Sequence, residues 1–285
     1  IWLTTVGLMQ SAAVFLAAWP RLPDLAFWQA AAALLTAALV ALCAAGVALA
    51  LTAQPYESHK ALWDTLDVSY FMRHEPADIA WHARQLSRHV GSPVPVVRAR
   101  QSLVGEGVQV LVYAPDQSDL FARICGYFDR AGFSILDAKI HTTRNGRALD
   151  TFQIASEQLQ MHYRELTTLI ENGLPQAILS KEPLPEPGKR RLSRRVRSFP
   201  MVPRVTLTPD DKAQSWLLNI SASDRAGLLY SVARILAAHG LSVQLAKVST
   251  LGERVEDSFL VQGPRLNSNA QQLLIETQLV QMLQE

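Results

Sequence analysis

Asp224–Thr250 reads DRAGLLYSVARILAAHGLSVQLAKVST, and Asp116–Thr143 reads DQSDLFARICGYFDRAGFSILDAKIHTT. Set one above the other, Asp116 falls on Asp224, Leu120 on Leu228, Gly132 on Gly240 and Ser134 on Ser242. Ala138–Lys139 falls on Ala246–Lys247, and Thr142 on Thr250. Further out, Asp150 and Phe152 meet Asp257 and Phe259 after one residue is lost in the intervening turn. A gap at a turn, and none inside an element, is what a structural repeat leaves in a sequence.

Each copy reads strand, helix, strand, strand, helix. Val108–Tyr113 and Leu217–Ser221 are short apolar strands. Leu120, Ile124, Tyr127 and Phe128 keep the helical period, as do Leu228, Val232, Ile235 and Leu236. Gly132 and Gly240 end those helices, since glycine takes positive φ without strain. Strands follow at Ser134–Thr143 and Ser242–Thr250, and the turns Arg144–Asn145–Gly146 and Leu251–Gly252 return the chain into Ala148–Ala155 and Val255–Val261. Second helices are expected near Glu157–Asn172 and Asn267–Leu283. The fold class is α+β: two tandem ferredoxin-like βαββαβ modules preceded by an apolar helical segment. The first module is expected over 101–210, closed by a strand at Arg204–Leu207 after an insertion over 173–203. The second is expected over 211–285, with its fourth strand missing or elsewhere.

Composition narrows the function. Hydrophobic residues make up 49% of the 285, enough for packed cores, and a net charge of +2 argues against a general nucleic-acid role. Two cysteines, Cys43 and Cys125, form neither a disulfide framework nor a zinc spacing, which points to a reducing, cytoplasmic setting. The basic run KRRLSRRVR (189–197) lies in the Pro-rich stretch 181–203 and has no aromatic residue within it for base stacking, so it reads as a solvated loop. Leu25–Tyr56 carries no charge, longer than the roughly 20 apolar residues of a membrane span. A membrane hairpin through 1–52, a buried helix, and an aberrant stretch are three readings of 1–56 that stay open. In the junction, 57–100, Leu62, Trp63, Leu66, Tyr70 and Phe71 recur at helical spacing, and Pro76 opens a further helix to about His89. Pro93 and Pro95 then make an extended linker, so a chain beginning near Arg100 is expected to fold by itself. His74, Glu75, Asp78 and His82 share a helix face but lack a defined metal-ligand set, and read as capping and surface groups.

The two copies resemble ACT domains: an acidic residue, a small loop with Gly-Leu, a helix ending in Gly, and a strand carrying Ala-Lys. The junction LWDTLDVSYFMRHEPADIAWHARQL (62–86) and AKIHTTRNGRALDTFQI (138–154) resemble the C-terminal region of bacterial PII uridylyltransferase/uridylyl-removing enzymes, from Glu57 onward and not over Ile1–Tyr56. That resemblance implies a glutamine-sensing part of an enzyme of nitrogen regulation that moves UMP to and from the PII protein. The family enzyme would use Mg²⁺; no cofactor is expected in this chain, where neither catalytic signature is visible. A free-standing or membrane-tethered protein binding an amino acid is the alternative.

ACT modules usually bind ligand at the loop before the first helix and at the start of the second strand. In the second copy this maps to Asp224, Arg225, Ala226, Gly227 and Leu228 with Leu241, Ser242 and Val243. In the first it maps to Asp116, Gln117, Ser118, Asp119 and Leu120 with Phe133, Ser134 and Ile135. Glutamine or another small amino acid is the expected ligand. Gly227 against Asp119 favours the second copy, because a side chain and a negative charge at that point would obstruct a ligand carboxylate. Asp116 and Asp224 as simple helix caps are the competing reading.

Overall fold

The computed structural model describes residues 59–103, 107–155, 162–187, 202–210, 215–225, 227–248, 250–251 and 254–284. The apolar run 1–56 and the basic run 189–197 therefore lie outside the described residues. Among the described residues no helix is long and apolar enough to cross a membrane. The chain divides into two units, meeting at Val90–Gly91.

Among the described residues the first unit shows three helices, α1 (Lys60–Trp63), α2 (Val68–Arg73) and α3 (Pro76–Leu86). Asp67 caps α2 by accepting from the Tyr70 backbone N–H at 3.1 Å. Pro76 takes the first turn of α3, where its missing N–H would have been unsatisfied anyway. The helix ends at Leu86, three residues short of the expected end. Its inward face is wide: Ile79, Trp81, His82 and Leu86 are all buried. His74, Asp78 and His82 are buried as well, which corrects their reading as surface groups. The Tyr70 hydroxyl and His82 Nδ1 lie 2.6 Å apart, and His74 Nδ1 is 2.9 Å from the Tyr70 carbonyl oxygen. Polar groups this deep persist only when hydrogen-bonded. Burial, with Asp78 adding to it, pushes the Tyr70 phenol well above its usual pKa.

The second unit holds both modules. The first sheet runs in the order β1 (Val96–Gln101), β2 (Val108–Pro115), β4 (Arg147–Ala155), β3 (Ser134–Lys139), all antiparallel. Helices α4 (Leu120–Arg130) and α5 (Tyr163–Leu179) pack on it. The second sheet repeats this with β5 (Arg204–Pro209), β6 (Trp216–Ser223), β9 (Arg254–Gln262) and β7 (Ser242–Lys247), and a short β8 (Thr250–Leu251) pairs with β9. Its helices are α6 (Leu228–Ala238) and α7 (Asn269–Gln284). This is the ferredoxin-like sheet with its outer strand supplied from the N-terminal side.

The strand expected to close the first module is thereby corrected. Arg204–Pro209 pairs with β6 and belongs to the second sheet. The first module's outer strand is Val96–Gln101, in the stretch read as a linker. The repeat thus extends one strand further upstream. Ala99 faces Val110 in one sheet, and Leu207 faces Leu218 in the other. Each of these edge strands has one N–H answered by a glutamate from the second helix of its own module. Ala99 N–H donates to Glu171 Oε1 at 2.8 Å, and Leu207 N–H to Glu276 Oε1 at 2.9 Å. An edge N–H already bonded cannot recruit a foreign strand.

Helix α5 also departs from expectation, running through Gly173 and Pro175 to Leu179. Ile170, Leu174 and Ile178 form one buried stripe, so packing carries the helix past residues that would end it in isolation.

One hydrophobic core spans the two modules. Helix α4 lies against α6, and β3 beside β7. Phe121 meets Phe259 of the other module edge-on at 6.1 Å between centroids. Gly126, inside α4, has no Cβ because one would stand 2.6 Å from the Tyr230 ring on α6. Its helix penalty of about 1 kcal/mol relative to alanine is offset by that close approach. The stretch Glu182–Pro187 crosses the same seam: the Tyr230 hydroxyl donates to the Pro185 carbonyl at 2.6 Å, and Arg234 grips the Glu186 carboxylate twice at 2.7 Å.

Candidate functional site

Each loop between first strand and first helix is a tight turn. In the second module Leu228 N–H donates to Arg225 O at 3.1 Å and Ser231 N–H to Gly227 O at 2.9 Å. In the first, Leu120 N–H donates to Gln117 O at 3.0 Å and Arg123 N–H to Asp119 O at 2.9 Å. The residues heading the helices differ in backbone. Gly227 sits at φ +79°, where only glycine is unstrained. Asp119 sits at φ −103°.

Neither Asp116 nor Asp224 caps a helix; those positions belong to Asp119 and Gly227. Asp116 accepts instead from the Thr142 hydroxyl at 3.0 Å. Burial raises the pKa of both carboxyls above the ordinary value, against opposing hydrogen bonds from Thr142 and Gln117 for Asp116 and from the Arg225 N–H for Asp224.

The loops open into two cavities that the repeat makes equivalent, and each cavity draws on both modules. Asp224, Arg225, Gly227 and Leu228 line a cavity of about 140 Å³ together with Ser134 and Ile135 of the first module. Asp116, Gln117, Ser118 and Leu120 line one of about 10 Å³ together with Val243 of the second. Loop and strand are thus paired across the modules, not within each one as the sequence mapping had them. Leu241 and Phe133 are core residues, Ser242 accepts from Gln244 Nε2 at 2.9 Å, and Ala226 lies outside the described residues.

The difference in volume decides what each cavity can hold. About 140 Å³ is room enough for a small organic molecule, whereas about 10–15 Å³ is the threshold for one water. The first loop is closed by Phe121, a lining residue that stacks toward Phe152 at 6.4 Å. Leu229 is its counterpart in the open cavity. Asp119 does not obstruct in the way its charge suggested. Its carboxylate turns back to Arg123, 2.7 Å from Nε and from Nη2, and it is not part of the lining.

The open cavity is acidic. Asp129, Asp224 and Asp257 line it, with Arg225 as the one cation among the lining residues. The Arg225 guanidinium donates to the Met282 carbonyl, which holds it toward α7. Asp129 and Cys125 come from α4 and were missed in the sequence; only the match of Asp150 with Asp257 pointed to this wall. Among the described residues no group of three or more His, Cys, Asp and Glu is arranged to hold a metal ion.

Two ferredoxin-like modules, each lending a strand to the other's loop cavity, define a tandem ACT-like unit. The chain is 51% identical over 235 residues to bifunctional uridylyltransferase/uridylyl-removing enzymes of Burkholderia thailandensis, Burkholderia mallei and Burkholderia pseudomallei, a stretch covering 82% of this chain and 27% of each relative. The model of the uridylyltransferase GlnD fifth domain matches residues 43–85. The family likeness therefore begins inside the apolar run, at Cys43, and not at Glu57. No solved structure matches the chain. By sequence the chain corresponds to the C-terminal region of the bifunctional uridylyltransferase/uridylyl-removing enzyme family, and it spans about a quarter of the length of the curated relatives it matches.

Proposed function

We propose that the chain is the glutamine-sensing regulatory region of such an enzyme, and that the ligand occupies the cavity of the second loop. The observation that carries this reading is the inequality of the two cavities, about 140 against 10 Å³, at positions the repeat makes equivalent. A ligand bound there touches both modules, so its presence stiffens their seam. In the whole enzyme that change is the signal that turns uridylylation of the PII protein toward its reversal. The catalytic steps and their Mg²⁺ belong to other parts of that enzyme, in the cytoplasm. Calorimetric titration of the chain with glutamine tests the reading. Saturable binding at one site per chain supports it, and no heat or protection up to millimolar glutamine sinks it.

The same titration has a pH signature. Asp224 ionises less readily in the folded chain than free, its ordinary value being 3.8. Its ionisation therefore costs stability above the raised pKa, and that cost is gone below the ordinary one. A ligand ammonium group needs the ionised form. Glutamine affinity is expected to be full at neutral pH and to fall as the pH drops through the raised pKa, beginning above 3.8. Asp224→Asn should flatten this profile; a profile unchanged by the substitution would show that Asp224 does not face the ligand.

A further inference from the structure

The open cavity has one wall that its counterpart lacks, and the role of that wall rests on the reading that this cavity takes an amino acid. Asp129 stands on α4 of the first module, only 7% exposed. The equivalent position on α6 is Ala237, which does not line the smaller cavity. Asp129 Oδ1 lies 3.1 Å from where a Cβ on Gly227 would sit. A carboxylate of the first module therefore stands at the first turn of α6 in the second module. Helix N-termini carry unpaired N–H groups and partial positive charge, and so favour an anion.

This changes how a zwitterion can lie in the cavity. The preference for Gly227 over Asp119 in the sequence placed the ligand's carboxylate at this point. With Asp129 already there, the helix end is answered by the protein's own anion, and a second carboxylate would meet like charge. A cation meets Asp129, Asp224 and Asp257 together. The neighbouring Cys125 thiol registers the same field: burial raises its pKa, and Asp150, Asp257 and Asp129 raise it further. Arg225, at the α7 side, remains the complementary group for a ligand carboxylate.

We propose that Asp129 is the charge-selecting residue of the cavity, holding the α-ammonium group of the amino acid against the first module while Asp224 of the second lines the same cavity. The ligand then bridges the modules by charge as well as by contact, and compounds lacking the amino group are rejected.

The test uses the full chain, glutamine, and glutaric acid monoamide, which is glutamine without its α-amino group. By calorimetry the parent should prefer glutamine at least tenfold. Asp129→Asn, which removes charge with little change in volume, should lose at least tenfold in glutamine affinity and narrow the preference by a similar factor, Asp224 and Asp257 keeping the remainder. Asp129→Glu should keep the preference. A folded Asp129→Asn chain with the parent's preference overturns the proposal and leaves glutamine sensing standing. A parent that binds neither compound overturns both. Asp129→Ser serves as a second neutral variant; if both neutral variants fail to fold, Asp129 is a structural cap of α6 and the proposal falls.

Discussion

Gly227→Asp is expected to abolish measurable glutamine binding and to lower the melting temperature by several degrees. The position combines two obstacles. At φ +79° an L-residue costs roughly 1–2 kcal/mol, somewhat less for aspartate than for most. The new Cβ would also stand 3.1 Å from Asp129 Oδ1, which brings two carboxylates together in a partly buried site. Like charges a few ångströms apart near a protein surface repel by up to a few kcal/mol. Both act on the folded chain, and they weaken binding because the turn must move to relieve them, carrying Asp224 and Arg225 out of register with the ligand; each loss of roughly 1.4 kcal/mol in those contacts is tenfold in affinity. Gly227→Ala separates them, since it carries the backbone strain without the charge, and should bind more weakly than the parent but better than Gly227→Asp. Asp119→Gly should leave binding at the second loop unchanged. It removes a partly exposed pair with Arg123, worth about 0.2–1 kcal/mol of stability. Calorimetry and thermal melts on the three variants decide the matter. If Gly227→Asp binds like the parent while Asp119→Gly abolishes binding, the ligand lies at the first loop and the assignment is reversed.

The repeat was legible because its cores are periodic. Val110, Val112, Phe152 and Ile154 in one module, and Leu218, Ile220, Phe259 and Val261 in the other, alternate as half-buried strands should, and all lie in the shared core. The outer strand Val96–Gln101 was hidden for the opposite reason. Pro93 and Pro95 precede it, and it carries Arg98, Arg100 and Gln101 among its six residues, as an edge strand with one solvated side can. Arg204–Leu207 was visible as a strand, but strand pairing is non-local, and nothing within those residues states which sheet they join. The cavity was half legible for the same reason. The loop residues Asp224, Arg225, Gly227 and Leu228 could be read from the repeat. Ser134, Ile135 and Asp129 reach the cavity only because the modules lie side by side. Asp129 in particular, between Phe128 and Arg130, looks in sequence like any solvated helix residue.

Removing the outer strand of the first module should have the second large effect. A chain of 91–285 is expected to fold cooperatively, whereas a chain of 100–285 is expected to aggregate or to unfold at far lower denaturant. The shorter chain loses most of a six-residue ladder with β2. It loses Val96 and Val97, 7% and 2% exposed, whose burial is worth roughly 1.5–3 kcal/mol each. It loses the Ala99 N–H held by Glu171, and with it the guard on the sheet edge. Gly91 N–H, which donates to the Tyr113 hydroxyl at 3.2 Å, and the Gly91 and Ser92 carbonyls, which accept from Arg147, go as well. Together these losses are comparable to the roughly 5–15 kcal/mol that stabilises a typical domain. They also uncover β2, whose VQVLVYA run would present an unpaired and strongly apolar edge to other chains. The expectation that a chain could begin near Arg100 came from reading Pro93–Pro95 as a linker, and the sheet register removes its basis. Size-exclusion chromatography and urea unfolding of the two chains test this. Equal midpoints and equal slopes would mean that β1 contributes nothing to the module.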